Sequence, residues 1–344
     1  MSSTIIVDAM GGDSPLDVPV QSSLEVCKEN PDIKLILVGS EKDIIDSIDE
    51  KIPENISIVN AESEITMDDS PAKAYREKID SSIHKGIDLL VNGKGDAFFS
   101  AGNTGAIVAV SYFKSGVIEQ VSRPALATVY PSVDSKKLII LDLGATLEPK
   151  PENMYDFGVL GEAYRFCITG LEDSRISILN VGEEDTKGTR TILEAAEMLK
   201  RSPLNFAGFI EGNRLFVKLD TDVVVTDAFT GNITLKTVEG LNETISRLIK
   251  SRIAPPQFKR TRTFIFNKIF GEVFNQFQYN LYGAALLLGM NHLIGIGHGR
   301  SDKKAFKNAI LRLHKCVERD FLRKFKERTI HIKNSSGRIK DNLQ

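Results

Sequence analysis

The most constraining feature of this chain is a rhythm of short apolar runs, many β-branched, that stop abruptly at polar turns. The runs fall at residues 5–7, 35–38, 56–59, 97–99, 126–129, 138–141, 176–179, 206–210, 223–225 and 294–296. Their length and composition suit buried strands. Between them lie longer segments of helical period, such as 191–199, where Ile192, Leu193, Ala196 and Leu199 fall on one side. Strands alternating with amphipathic helices imply an α/β fold, a three-layer αβα arrangement with a largely parallel sheet. With 344 residues, 42% of them apolar, the chain can build a substantial core. We expect a single α/β catalytic domain over 1–333, a helical hairpin projecting from it over 240–283, and a frayed polar tail over 334–344.

Six of the runs lead at once into Gly-rich or polar turns: Asp8-Ala-Met-Gly-Gly-Asp13, Ser100-Ala-Gly-Asn-Thr-Gly105, Asp142-Leu-Gly-Ala-Thr146, Asn180-Val-Gly-Glu-Glu-Asp-Thr-Lys-Gly188, Asp227-Ala-Phe-Thr-Gly-Asn232 and Gly297-His-Gly-Arg-Ser-Asp302. In a parallel sheet such turns share the edge at the strands' carboxyl ends, where open α/β folds bind ligands. Glycine permits close backbone approach, and a helix start presents free N–H groups and a positive dipole end to an anion. Asp8, Gly11, Gly12, Asp13, Gly102, Asn103, Thr104, Gly105 and Asn232 are therefore candidates for binding phosphate or substrate. Each is also an ordinary turn or cap residue. No turn has the Gly-Lys-Ser/Thr ending of a Walker loop or the Gly-x-Gly-x-x-Gly dinucleotide fingerprint.

The charged turn residues suggest the chemistry. Lys187 could neutralise a phosphate or a developing oxyanion, or simply pair with Glu183 or Glu184. Asp227 suits a general base or an orienting carboxylate, with helix capping as its alternative. His298 is the histidine that stands in a cleft-type turn and is a candidate orienter or acid. Asp8, Asp13 and Asp142 lack a His or Glu at helical ligand spacing, so no metal is expected, and no cofactor motif appears. Without a Gly-x-Ser-x-Gly elbow or a cysteine in a turn, the nucleophile must come from the substrate.

Composition closes other routes. Cys27, Cys167 and Cys316 have no Cys-x-x-Cys spacing, which argues for reduced thiols rather than a disulfide framework. The balance of 44 basic and 46 acidic residues gives no case for a nucleic-acid partner. No signal core or membrane-length apolar run is present, so a cytoplasmic location is expected. One segment breaks the rhythm. Residues 247–268 carry seven basic side chains and no acidic one, leading into an apolar stripe of Phe266, Ile269, Phe270, Val273, Phe274 and Phe277. Pro255-Pro256 divides two helices into a hairpin. The stripe could face a core. Its basic flank, with Lys259, Arg260 and Arg262, also suits an anionic membrane or an acidic protein, through Phe266, Phe270 and Phe274.

The turns at 8–13, 100–105, 180–188, 227–232 and 298–302, together with Asp69-Ser-Pro-Ala-Lys-Ala-Tyr-Arg-Glu-Lys78, Ser81-Ser82 and Tyr282-Gly, resemble those of the bacterial phosphate acyltransferases of phospholipid synthesis. The resemblance runs from the first strand to about residue 310. It implies transfer of a fatty acyl group from an acyl carrier protein thioester to inorganic phosphate, giving acyl phosphate for a glycerol-3-phosphate acyltransferase. It also implies a fold like that of isocitrate and isopropylmalate dehydrogenases and phosphate acetyltransferase, and a homodimer attached peripherally to the membrane. The alternatives are a phosphate acetyltransferase-like enzyme using acyl-coenzyme A and a non-catalytic phosphate-ligand sensor. Lys187 and Asp227 become the catalytic candidates, with Lys187 on phosphate or the oxyanion and Asp227 orienting or deprotonating phosphate. Departures from the family pattern are Thr146, Ala228, Ala284, Leu286 and Arg300; Thr146 puts a polar contact of its turn in doubt.

Overall fold

The computed structural model describes residues 2–49, 51–131, 137–217, 220–253, 260, 264, 268 and 283–341. Its strands are β1 (Ser3–Asp8), β2 (Ile33–Gly39), β3 (Ile56–Asn60), β4 (Ala97–Ser100), β5 (Ala125–Pro131), β6 (Lys137–Leu141), β7 (Ile176–Asn180), β8 (Phe206–Glu211), β9 (Val223–Val225), β10 (Ala285–Leu288) and β11 (Leu293–Ile296). All the expected runs are strands. β10 was not expected, because a four-residue apolar run cannot be assigned to strand or helix by periodicity alone. One mixed sheet holds them in the order β3-β2-β1-β4-β11-β10-β5-β6-β9-β7-β8.

Most pairings are parallel, but three are not: β10 runs antiparallel to both β11 and β5, and β5 runs antiparallel to β6. This reverses one half of the sheet. β1, β2, β3, β4 and β11 point one way, and β6, β7, β8 and β9 point the other. The turns after β1, β4 and β11 therefore leave in one direction and those after β6, β7 and β9 in the other, but the registers bring the carboxyl ends of β4 and β6 to nearly the same level of the sheet, so turns of the two halves meet.

Helices cover both faces. Ile5 and Val7 of β1 face a core shared with α1 (Asp17–Glu29), α6 (Pro151–Thr169), α7 (Arg190–Lys200), α9 (Lys303–Glu318) and α10 (Phe321–Asp341). Ile6 between them faces a second core shared with α4 (Ser82–Val91) and α5 (Thr104–Ser115). On that second face lie also α3 (Pro71–Glu77), through Ala74, and α8 (Ala228–Ile253), through Leu235. The alternation follows from the two-residue period of a strand whose faces are both buried. A short helix, α2 (Glu41–Asp46), caps the far edge.

α10 continues through Asp341. Around residues 333–336 it is tied to the body by Lys333 Nζ on Asp156 Oδ1 at 2.5 Å and Tyr155 OH donating to Ser336 Oγ at 2.7 Å.

Candidate active site

At the end of β1, Asp8 is fully buried. Its Oδ1 accepts the Met10 N–H at 3.0 Å and its Oδ2 accepts the Ser100 hydroxyl at 2.6 Å. Ser100 Oγ in turn accepts the Gly102 N–H at 3.0 Å. Burial pushes the Asp8 carboxyl above its ordinary range, opposed by hydrogen bonds from Ser100, Ser82, Met10 and Gly11. Asp8 is thus an internal tie between two turns. Gly11 fits only because it has no side chain: a Cβ there would meet Asp8 Oδ2, and would lie 2.8 Å from Gly102 N and 2.9 Å from Ser100 Oγ. The third turn joins through the Asp13 N–H on Gly299 O at 2.8 Å and Ser14 Oγ on Ser301 O at 2.9 Å.

Asn103 caps α5, its Oδ1 accepting the Ala106 N–H at 3.0 Å. Its Nδ2 donates to the carbonyls of Thr66, Met67 and Asp69 at 3.2, 3.2 and 2.9 Å. This clamps the segment that leads into α3. Pro71 of α3 packs against Gly105, where a Cβ would lie 2.6 Å from Pro71 Cγ. Lys78 closes the segment by donating to Asp69 Oδ2 at 2.5 Å and Glu64 O at 2.8 Å. Glu64 is pushed above its ordinary range by burial and then by the charge of Asp8.

From the reversed half of the sheet comes Asp142, also fully buried. Its Oδ1 accepts the N–H groups of Leu126, Gly144 and Ala145 at 2.9, 3.0 and 2.9 Å, and its Oδ2 accepts that of Thr146 at 2.7 Å. Burial raises its pKa to about 6 against those hydrogen bonds. The Thr146 hydroxyl donates to Pro124 O at 3.1 Å, so this turn keeps a polar contact. Asp227 caps α8 by accepting the Thr230 N–H at 2.8 Å. The two halves meet at Gly144, whose Cβ position lies 3.8 Å from both Thr104 Cγ2 at the start of α5 and Asn232 Nδ2 in the first turns of α8. A second bridge joins Lys236 Nζ of α8 to His298 Nε2 at 2.7 Å. Burial, then Lys236, pushes the His298 pKa below its ordinary value, with Glu239 opposing.

A family model described as "Fatty acid synthesis protein" matches residues 3–324. A phosphate acyltransferase of a Nitratiruptor species is 39% identical over 324 residues, which cover 94% of this chain and 97% of that protein. One from Thermodesulfovibrio yellowstonii is 40% identical over 308 residues, covering 89% and 88%. The chain belongs to this family and is an acyltransferase. Among solved structures it is similar to a phosphotransacetylase from Streptococcus pyogenes, with a TM-score of 0.60 and 14% identity over 92% of this chain and 94% of that one. A branched-chain phosphotransacylase from Enterococcus faecalis gives a TM-score of 0.53 at 12% identity, over 91% and 99%. These likenesses establish a shared fold. Family membership removes the non-catalytic sensor from consideration.

The structure brings most of the predicted anion-binding residues together, but not Lys187. The β7 turn folds on Asn180, whose Nδ2 donates to Lys187 O at 2.8 Å, and Gly188 closes it at φ 111°. The Lys187 ammonium pairs with Glu184 Oε1 at 2.8 Å, and that partner raises its pKa. Among the described residues no hydrogen bond or ion pair joins it to Asp227, and no three carboxylate, thiol or imidazole groups gather as a metal site. Asn103, whose turn was expected to bind an anion by backbone N–H, spends its side chain on the Ala106 N–H and the 66–69 segment. Ser100, Lys78 and Lys236 were not singled out. Ser100 and Lys78 stood in quoted motifs, whereas Lys236 is an ordinary helix lysine until folding brings it to His298.

Lys259, Arg262, Phe266, Phe270 and Phe274 lie outside the described residues. Arg260, Phe264 and Lys268 are described, and each is helical and exposed. Among the described residues no helix is long and apolar enough to cross a membrane.

Proposed function

We propose that the enzyme transfers a fatty acyl group from the thioester of acyl carrier protein to inorganic phosphate, releasing acyl phosphate for phospholipid synthesis. The observation that carries this reading is the convergence of the α5 and α8 N-termini at Gly144. Two positive helix ends with short side chains between them suit a small dianion. The relatives' name, phosphate acyltransferase, agrees with phosphate as acceptor.

In the proposed step a phosphate oxygen attacks the thioester carbonyl. A C–O bond forms, the C–S bond breaks, and the thiolate leaves to be protonated. No covalent enzyme intermediate is required, so catalysis consists of positioning and charge stabilisation. The backbone N–H groups of Gly12, Thr104 and Gly105 hold phosphate, with Asn232 beside them, while those of Gly11 and Gly102 are spent on Asp8 and Ser100 and shape the turns. Asp227 orients phosphate or accepts its proton through the oxygen not engaged by Thr230. Lys187 neutralises the oxyanion after exchanging Glu184 for substrate. His298, held neutral at pH 7 by its lowered pKa, orients rather than supplies the leaving group's proton.

The same reading takes the basic hairpin, including Lys259, Arg260 and Arg262, as the surface for acidic carrier protein, with Phe266, Phe270 and Phe274 meeting an anionic membrane. It takes the enzyme as cytoplasmic, peripherally membrane-associated and homodimeric. The exposed Ile233, Leu241, Ile245 and Leu248 of α8 offer a second copy an apolar face. A glycerol-3-phosphate acyltransferase would consume the product. The likeness in fold to phosphotransacetylases keeps acyl-coenzyme A as the alternative donor. Incubation of each donor with and without phosphate, trapping acyl phosphate with hydroxylamine, tests the proposal. Phosphate-dependent hydroxamate is expected from the carrier-protein thioester; product from acyl-coenzyme A alone would overturn the donor assignment.

A further inference from the structure

On the opposite face of the sheet from α5 and α8, a cavity of about 510 Å³ opens between β6, the end of α6, α9 and the start of α10. Its floor is apolar, formed by Val129, Tyr164, Ile168, Leu311 and Phe321. Its rim is cationic. Arg312 and Lys315 stand on one face of α9 and Arg319 at its C-cap, Lys324 reaches in from α10 and Lys137 from β6, and no acidic residue is among its described lining. Arg312 is half-buried and fixed, donating to Ala284 O at 2.8 Å and to Tyr164 OH. Lys324 donates to the backbone carbonyl of Arg319 at 2.8 Å. The described carboxylates form no ion pair with Lys137, Lys315, Arg319 or Lys324. Burial pushes the Cys316 thiol, which also lines the cavity, up, and Arg312 and Arg319 oppose it.

Four cations without an ion pair to the described carboxylates, around an apolar pocket of ligand size, are poorly matched to a fully polar anion, which would leave the floor wet, and to a neutral hydrocarbon, which would leave their charge uncompensated. We infer that this cavity is a second binding site, separate from the acyl-transfer site, for a single-chain amphiphile with an anionic head, such as a fatty carboxylate or an alkyl phosphate. The chain lies on Leu311, Ile168 and Phe321, and the head meets Arg312, Lys315 and Arg319. The inference stands on the cavity alone and does not depend on which thioester the enzyme uses.

Direct titration calorimetry of the full chain with dodecanoate, dodecyl phosphate and dodecanol, each below its aggregation limit, tests it. Both anions are expected to bind, dodecanol at least tenfold more weakly, and inorganic phosphate is expected not to compete. Lys315→Glu with Arg319→Glu, two exposed changes, should weaken dodecanoate at least tenfold with an unchanged melting temperature. Leu311→Trp should do the same by filling the floor. Anionic phosphatidylglycerol vesicles distinguish a bilayer from a free amphiphile, and their binding should be unaffected by the α9 changes. Equal affinity for dodecanol, unaltered dodecanoate binding in the folded charge-reversal variant, or loss of vesicle or carrier-protein binding in place of dodecanoate binding would each overturn the assignment.

Discussion

Asn103 offers a sharp test of whether the α5 turn is built as described. Its side chain is almost fully buried and makes two kinds of contact: an acceptor that caps α5 and a donor shared among three carbonyls. Truncation to Ala removes the cap, worth about 1 kcal/mol. It also removes the donor, whose two protons serve three acceptors, for a net of about 1 kcal/mol because the carbonyls of the exposed Thr66 and Met67 can take up water. The expected loss is about 2 kcal/mol, read as a lower urea midpoint at unchanged m-value. Asn103→Asp separates the two roles. It keeps a good cap at a positive helix end, yet turns an anionic oxygen toward three carbonyls, so it should be no more stable than Asn103→Ala. Because the clamp also sets Pro71 against Gly105, turnover should fall in both variants. If Asn103→Ala keeps its urea midpoint within about 0.5 kcal/mol while the KM for phosphate rises, the side chain serves the anion and the clamp is not what holds this turn.

Lys187→Ala and Asp227→Asn should each lower acyl phosphate formation roughly 10²-fold with melting temperature little changed, and near-normal turnover in both would remove them from the mechanism. Gly11→Ala should destabilise by about 1–3 kcal/mol, because its methyl group has only Asp8, Ser100 and the Gly102 backbone to displace; Gly240→Ala on exposed α8, with nothing within 4 Å, should stabilise by about 0.5–1 kcal/mol. Paired urea titrations check both signs. Burial, then Lys114, pushes the buried His84 below its ordinary pKa, so the unfolded chain protonates first and stability falls as pH drops below about 6.5. His84→Phe, which preserves the stack on Tyr75, should make that fall shallower, and an unchanged slope between pH 7 and pH 5 would refute the assignment.

The strands were legible because burial on both faces leaves uninterrupted apolar runs, and the turns because glycine, asparagine and aspartate mark their ends. The reversal of half the sheet was legible too, in retrospect. β5 and β6 are joined between Pro131 and Lys137, far too short for the crossover of a dozen or more residues that a parallel pair needs. Asp142 shows what was not legible. Its motif looks like any turn, and its role as acceptor for four backbone N–H groups depends on Leu126 from the neighbouring strand. Lys236 and His298 likewise meet only because α8, starting after β9, crosses to the turn that follows β11.

That crossing also decides how Lys187 can act. β7 stands two places beyond β6 in the sheet, a displacement of about 10 Å in the strand-pairing direction, and its turn is fastened by Asn180 and Gly188. For Lys187 to reach an anion held at Gly144, either substrate extends from the α5–α8 junction toward the turn, or the turn gives up the Glu184 contact and moves inward. In both cases bound phosphate and acyl donor should slow amide hydrogen exchange in residues 181–188 together with 102–106 and 142–146. Phosphate alone should protect the latter two segments first, since they carry the converging helix ends. Exchange followed by mass spectrometry, with and without each substrate, reads this directly. Protection confined to 102–106 and 142–146 under every substrate combination would place Lys187 outside the reacting site, leaving its ion pair with Glu184 as a feature of the surface.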